Sequence, residues 1–202
     1  MYNLDQAYSE KFFRQRRSLH WRTKLITNAL IHVFNPSSVV DVGCGNGDLI
    51  GTIASVPGME NTLAIEGTEN SLPYITENYN GTILIHDMRK SLSLDYPDLP
   101  RYELCMCLEV AEHIEDEYAP VFVHNLASLS DTLLFSFAPP GQGGLHHVNC
   151  RPFEYWFYKF DAVGYAKNVW KTEAFKEGLK PFAHKKGIKA YYNNAIVFER
   201  RS

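Results

Sequence analysis

The chain of 202 residues is 45% hydrophobic and carries a formal charge of −3. That much apolar material suits one domain spanning 1–202 with a sizeable core, and the near-neutral charge excludes a global pull toward nucleic acid or a membrane, though not a local patch. The longest apolar runs, such as LLFSF, are too short to cross a bilayer, and MYNLDQAYSEKFFRQRR lacks the apolar centre of a signal peptide. A soluble, unprocessed, cytoplasmic protein is expected. Its four cysteines, Cys44, Cys105, Cys107 and Cys150, form no CxxC pair and no zinc or disulfide spacing, so reduced and mostly buried thiols are expected.

Residues 8–33 set Phe12, Leu19, Leu25, Ile26, Leu30 and Val33 among charges, predicting a helical cap over 1–35, in one piece or two. The core follows over 36–202. SVVDVGCGNGDL passes from β-branched residues to glycines, which reads as a strand, a tight loop and a helix start. TLAIEG at 62–67 and TILIHD at 82–87 predict two more buried strands, with a helical TENSLPYITENYN between them. ELCMCLE and TLLFSFA supply a fourth and a fifth. Between those two, Pro120 opens a helix in APVFVHNLASLS whose stripe is Phe122, Leu126 and Leu129. A last strand pair is expected around 163–170 and at 191–200. Apolar strands alternating with helices predict an α/β fold, a mostly parallel sheet with helices on both faces.

Ligands of such open sheets bind beyond the carboxyl ends of the strands. Acids fall at those ends: Asp41 in the first strand, Glu66 closing the second, Asp87 the third and Glu109 the fourth. The loop DVGCGNGD is the sharpest signal. Gly43, Gly45 and Gly47 allow positive φ and let a ligand approach the backbone, and a tight turn alone would not need all of them. A dinucleotide loop would read GxGxxG and face a pyrophosphate. Here the flanking carboxylates would repel phosphate and suit a cation, such as a sulfonium carrying an amino group. In CLEVAEHI, a helix would put Glu109, Glu112 and His113 on one face at i, i+3 and i+4.

At these residues the sequence resembles the class I S-adenosylmethionine-dependent methyltransferases, from about Ser38 to the end, with VVDVGCGNG the most specific part. The resemblance implies a Rossmann-like, seven-stranded sheet in the order 3-2-1-4-5-7-6 with the seventh strand antiparallel. It implies S-adenosylmethionine as cofactor, with Asp41 and the backbone of Gly43, Cys44 and Gly45 on the methionine part, Glu66 on the ribose hydroxyls, Asp87 and Met88 facing adenine, and Glu109 at the same edge. Relatives that methylate base amines or glutamine amides carry (N/D)PP(Y/F) after the fourth strand. LEVAEH stands there instead, and APP at 138–140 follows the fifth strand, which points toward oxygen as the acceptor.

The ExxEH segment is similar to the metal-binding segment of plant small-RNA 2′-O-methyltransferases and of ubiquinone-pathway O-methyltransferases. That similarity implies Glu109, Glu112, His113 and a histidine of GQGGLHHVNC, taken as His147, around Mg²⁺ or Mn²⁺, ions suited to carboxylate and imidazole ligands. An EH pair that only caps or tethers the loop is the alternative. His113, His146 and His147 are the candidate bases, since imidazole titrates near neutrality. The paired glycines of GQGG predict a mobile flap or a static turn.

Tyr8, Phe12, Trp21 and Asn149 are the expected substrate contacts. Lys11, Arg14, Arg16, Arg17 and Arg22 alternate with Phe12, Phe13 and Trp21, and Lys185, Lys186, Arg200 and Arg201 lie toward the other end. Such runs are first read as a solvated face; the alternative is phosphate and base stacking. The expected activity is O-methylation of a hydroxyl on a small molecule or sugar. An RNA 2′-hydroxyl enzyme, a non-catalytic cofactor-binding protein and a dinucleotide-dependent oxidoreductase are the alternatives.

Overall fold

The computed structural model describes residues 2–15 and 20–201, so Arg16, Arg17 and Leu19 lie outside the described residues. The N-terminal part is helical, in separate pieces: α1 (Leu4–Ala7), α2 (Glu10–Gln15) and α3 (His20–Phe34). Then come β1 (Ser38–Val42), α4 (Asp48–Ala54), β2 (Asn61–Glu66), α5 (Leu72–Asn78), β3 (Thr82–Ile85), α6 (Leu92–Asp95) and β4 (Leu104–Leu108). The chain continues through α7 (Ala119–Leu129), β5 (Thr132–Ser136), α8 (Phe153–Ala162), β6 (Tyr165–Lys167), α9 (Val169–Leu179), α10 (Lys189–Asn194) and β7 (Ile196–Arg200).

The described residues form one seven-stranded sheet, β3-β2-β1-β4-β5-β7-β6. β1 to β5 are parallel, and β7 runs antiparallel to both β5 and β6. Because side chains alternate along a strand and both faces are covered, each strand supplies two cores. Val40, Val42, Cys105, Cys107, Leu133, Phe135 and Phe198 join Phe122, Leu126, Trp156 and Phe160 on one face. Val39, Ala64, Leu104, Met106, Leu134 and Val197 join Ile26, Leu30, Ile50 and Phe175 on the other. Trp156 is fully buried and meets Phe135 edge-on at 5.6 Å, a geometry that adds about 1 kcal/mol to area burial. Asp41 shares its face with Val39, and so points toward α3 and α4 among apolar residues.

Three expectations are corrected. The stretch 191–194 closes α10 rather than opening the last strand, because the Ala195 and Tyr192 amides continue the helical ladder to Tyr191 and Ile188. The strand near 163–170 shrinks to β6, since Asn168 caps α9 by accepting the Lys171 amide at 2.9 Å. The residues after β4 do not form an α-helix. Glu109 takes a left-handed φ of 57°, which breaks the ladder, and short 3₁₀ turns at Ala111–His113 and Asp116–Tyr118 follow instead. All the cysteines are free thiols, buried at 44, 105 and 107 and half-buried at 150. No described helix is long and apolar enough to cross a membrane.

Candidate active site

The turn from β1 into α4 builds the first wall. The amides of Gly43 and Cys44 both donate to Ile65 O in β2, folding the loop back over the sheet edge. Gly43 has φ +73°, and a Cβ there would lie 2.4 Å from Val110 Cγ2, so glycine is required twice over. At Gly45, φ +60°, a Cβ would meet nothing within 4 Å, because that backbone faces an open cleft of about 480 Å³. Asp41, Cys44, Asp48, Glu109, Glu112, His113 and His147 line the same cleft. Burial, and after it the charges of Asp48 and Glu66, push the Asp41 carboxyl up to about 8. A cluster of this sign favours a cationic guest.

A second, smaller pocket of about 110 Å³ lies across the glycine loop and shares Gly43, Gly45, Glu109 and His113 with the first. Here stand Glu66, Asp87, Met88, Tyr8 and Phe12. Glu66 accepts the Gly67 amide at 2.7 Å and the Gly45 amide at 2.9 Å, which fixes its carboxylate at the end of β2. Asp87 is gripped by the forked guanidinium of Arg89 at 2.9 Å on each oxygen. Burial alone would raise this carboxyl; the Arg89 bonds outweigh it and hold it below the usual range. Arg89 also reaches Glu115 at 3.0 Å, the Tyr2 carbonyl at 3.0 Å and the Tyr2 ring at 4.7 Å. Together with Asn70, which donates to the Asp5 and Tyr8 carbonyls, it holds the N-terminal helices over this pocket.

Beyond β4 a second constellation forms. Glu112, His113 and His147 bring one ligand atom each within 4.8 Å of one another. His113 Nδ1 donates to His146 O and His147 Nδ1 donates to Gln142 O, both at 3.1 Å. A ring protonated at Nδ1 presents its lone pair at Nε2, and His147 Nε2 lies 3.9 Å from Glu112 Oε1. Glu112 is 1% exposed, and its Oε2 has no hydrogen-bond partner. Burial first, and Glu109 second, raise its carboxyl to about 8. A buried, orphaned carboxylate oxygen beside two imidazoles of the same tautomer suits a divalent ion, so the residues present fit Mg²⁺ or Mn²⁺.

Other expected site residues stand elsewhere. Glu109 lies outside the trio: the amides of Gln142 and Asn194 take its oxygens at 2.9 and 3.2 Å. His146 is exposed and stacks on Tyr2 at 5.8 Å, so its backbone rather than its ring serves the trio. Trp21 is 40% exposed and packs beneath Lys185 instead of lining either pocket. Asn149 is buried against Arg151, and its amide donates to Glu112 O. Asp48, the second of the carboxylates flanking the glycine loop, lines the larger cleft as expected. Arg22, Thr23 and Tyr191 line it without having been expected there, while Arg89 lines the smaller pocket and Asn194 holds Glu109. Their signals were weak, since each is a lone polar residue in a segment with another evident role.

No family model matches the chain, and no curated protein matches its sequence. Solved structures do. The small RNA methyltransferase HEN1 superposes with a TM-score of 0.60 at 17% identity over 89% of this chain, which spans 25% of the HEN1 chain. The sugar N-methyltransferase KedS8 from Streptoalloteichus sp ATCC 53650 gives 0.67 at 13% identity, covering 95% of this chain and 92% of that one. The magnesium protoporphyrin IX methyltransferase ChlM from Synechocystis PCC 6803, with S-adenosylhomocysteine bound, gives 0.61 at 16% over 100% and 89%. The fold is that of the class I S-adenosylmethionine-dependent methyltransferases.

Proposed function

We propose that this protein transfers a methyl group from S-adenosylmethionine to a hydroxyl of a small molecule or sugar, with a divalent ion held by Glu112, His113 and His147. One observation carries the reading: the glycine-loop cleft and the Glu/His/His trio share walls, so a donor on the loop and an acceptor at the trio would lie side by side. Gly43, Cys44, Gly45 and Asp41 would receive the methionine part, Glu66 the ribose diol, and Asp87 with Met88 the adenine. Tyr8 and Phe12, which line the smaller pocket, would cover the adenine side. Methyl transfer forms an O–C bond and breaks a C–S bond, whose electron pair stays on sulfur as the neutral thioether. The hydroxyl proton must leave: His113 or His147 can accept it at Nε2 when no ion occupies those lone pairs, and with an ion held there it would pass to solvent. Mg²⁺ or Mn²⁺ at the trio would supply Lewis acidity that lowers the hydroxyl pKa. In-line displacement asks little else than positioning.

The test is calorimetric titration with S-adenosylhomocysteine, with EDTA and then with Mn²⁺, on the wild type and Glu112→Ala. The reading expects cofactor-product binding in both proteins and Mn²⁺ binding in the wild type alone. Failure to bind S-adenosylhomocysteine sinks the methyltransferase reading. Equal Mn²⁺ binding by Glu112→Ala sinks the trio.

One observation favours RNA as a second acceptor. Residues 11–24 and 180–192 contain no acid and hold half of the lysines and arginines of the chain. They meet where Lys185 lies 5.1 Å from the Trp21 ring, and each segment sends a residue, Arg22 or Tyr191, into the cleft wall. Methyl incorporation into a short single-stranded RNA, lost in Lys185→Glu/Lys186→Glu, would select this reading over a neutral acceptor.

A further inference from the structure

The glycine flap, residues 139–149, is tied to the segment after β4 at Glu109, Glu112 and His113. The amides of Val148 and Asn149 both donate to Glu112 O at 2.9 Å, and His113 Nδ1 donates to His146 O. The remaining tie runs through side chains. Gln142 Nε2 donates to Glu109 Oε2 at 2.9 Å, Asn194 Nδ2 donates to Glu109 Oε1 at 3.2 Å, and the same Asn194 nitrogen reaches Gln142 Oε1 at 3.1 Å. The three side chains close a triangle between the end of β4, the flap and the end of α10.

We infer that Glu109 is the latch of the flap and not a ligand of the trio, and that Gln142 and Asn194 are positioning residues for His147. Gln142 acts at both ends: its side chain engages the Glu109 carboxylate while its carbonyl accepts the His147 Nδ1 proton at 3.1 Å. Whatever holds the Gln142 side chain therefore holds the carbonyl that sets the tautomer and placement of His147. Glu109 is aimed for the task by its backbone. Its left-handed φ of 57° is kept by its amide, which donates to Ser136 Oγ at 2.9 Å and Ser136 O at 3.2 Å. Asn194 is buried, so losing either partner would cost its amide a hydrogen bond that is expensive to leave unmade. Glu109 also lines both pockets, so the latch sits where a guest in either one would touch it.

The metal arm of the test rests on the trio proposed above; the exchange arm does not. Mn²⁺ affinity and S-adenosylhomocysteine affinity are measured by calorimetry on the full chain, and amide exchange of Val148 and Asn149 is followed without metal, for Gln142→Ala, Glu109→Gln and the wild type. The latch expects Gln142→Ala to bind Mn²⁺ about tenfold or more weakly, the usual loss when a residue supporting a ligand goes. It expects faster exchange at Val148 and Asn149, with S-adenosylhomocysteine affinity kept as the sign of an intact fold. Glu109→Gln retains an acceptor for the Gln142 amide, so its Mn²⁺ affinity should stay within a few-fold. A ligand role predicts the reverse pair: Mn²⁺ binding lost in Glu109→Gln and kept in Gln142→Ala. That pair, or unchanged flap exchange in Gln142→Ala, overturns the inference. A wild type that binds no Mn²⁺ removes the metal reading alone, and the exchange result then decides the latch.

Discussion

Asp41→Asn should make the ligand-free protein more stable, and increasingly so as pH rises. Asp41 is 4% exposed, faces the side of the sheet covered by α3 and α4, and has its carboxyl raised from 3.8 to about 8 by burial, Asp48 and Glu66. Between those values the unfolded chain carries an ionised Asp41 while the folded chain keeps the proton. Unfolding therefore releases a proton, and each pH unit favours the unfolded state by about 1.4 kcal/mol until the folded carboxyl itself ionises. From pH 5 to pH 8 that amounts to roughly 4 kcal/mol, which asparagine, with no charge to lose, does not suffer. For a chain of this size the gap in Tm should widen by on the order of 10 °C over that range. Scanning calorimetry of both proteins at each pH, without ligand, measures it. A gap that stays constant, or that narrows as pH rises, refutes the claim that a buried, nearly neutral carboxyl waits in this cleft. The same variant should bind S-adenosylhomocysteine more weakly than the wild type, which would make Asp41 a residue kept at the expense of stability.

Gly43→Ala should destabilise by 2 kcal/mol or more, since a left-handed alanine costs about 1–2 kcal/mol and its Cβ would lie 2.4 Å from Val110 Cγ2. Urea unfolding should show Val110→Ala returning part of that loss and none of the backbone term. Arg89→Leu should lose about 3–5 kcal/mol, because Asp87 and Glu115 are left facing each other without their shared cation. The same change should free the N-terminal helices, read as faster proteolysis before residue 20 and weaker S-adenosylhomocysteine binding. His147→Ala should abolish Mn²⁺ binding in calorimetry while leaving S-adenosylhomocysteine affinity near wild type, because the groups proposed to hold the cofactor, the glycine loop, Asp41, Glu66, Asp87 and Met88, do not include His147.

Period-two apolar strands, helical stripes and turn chemistry are local properties, so the order of elements, the glycine loop and the acids at the strand ends were legible in the residues themselves. The same locality explains why SVVDVGCGNGDL could be read as strand, turn and helix with Asp41, Gly43, Gly45 and Glu66 on one edge. The boundaries that moved were those decided by partners far along the chain. Residues 191–194 are helical because Ile188 and Asn194 are buried, and no pattern within YYNN says so. Glu109, Glu112 and His113 have helical spacing, yet the positive φ at Glu109 sends its carboxylate to Gln142 and Asn194 and sends the other two toward His147. Arg89 reads as an ordinary surface cation beside Lys90. Only the docking of the N-terminal segment over the pocket buries it, and only then do Asp87, Glu115 and the Tyr2 carbonyl share one guanidinium. Residue types and spacing thus determined what kinds of groups stand at the carboxyl edge of the sheet. Which of them meet was decided by long-range packing, because a carboxylate's partners are set by distances of a few ångströms that no local periodicity encodes.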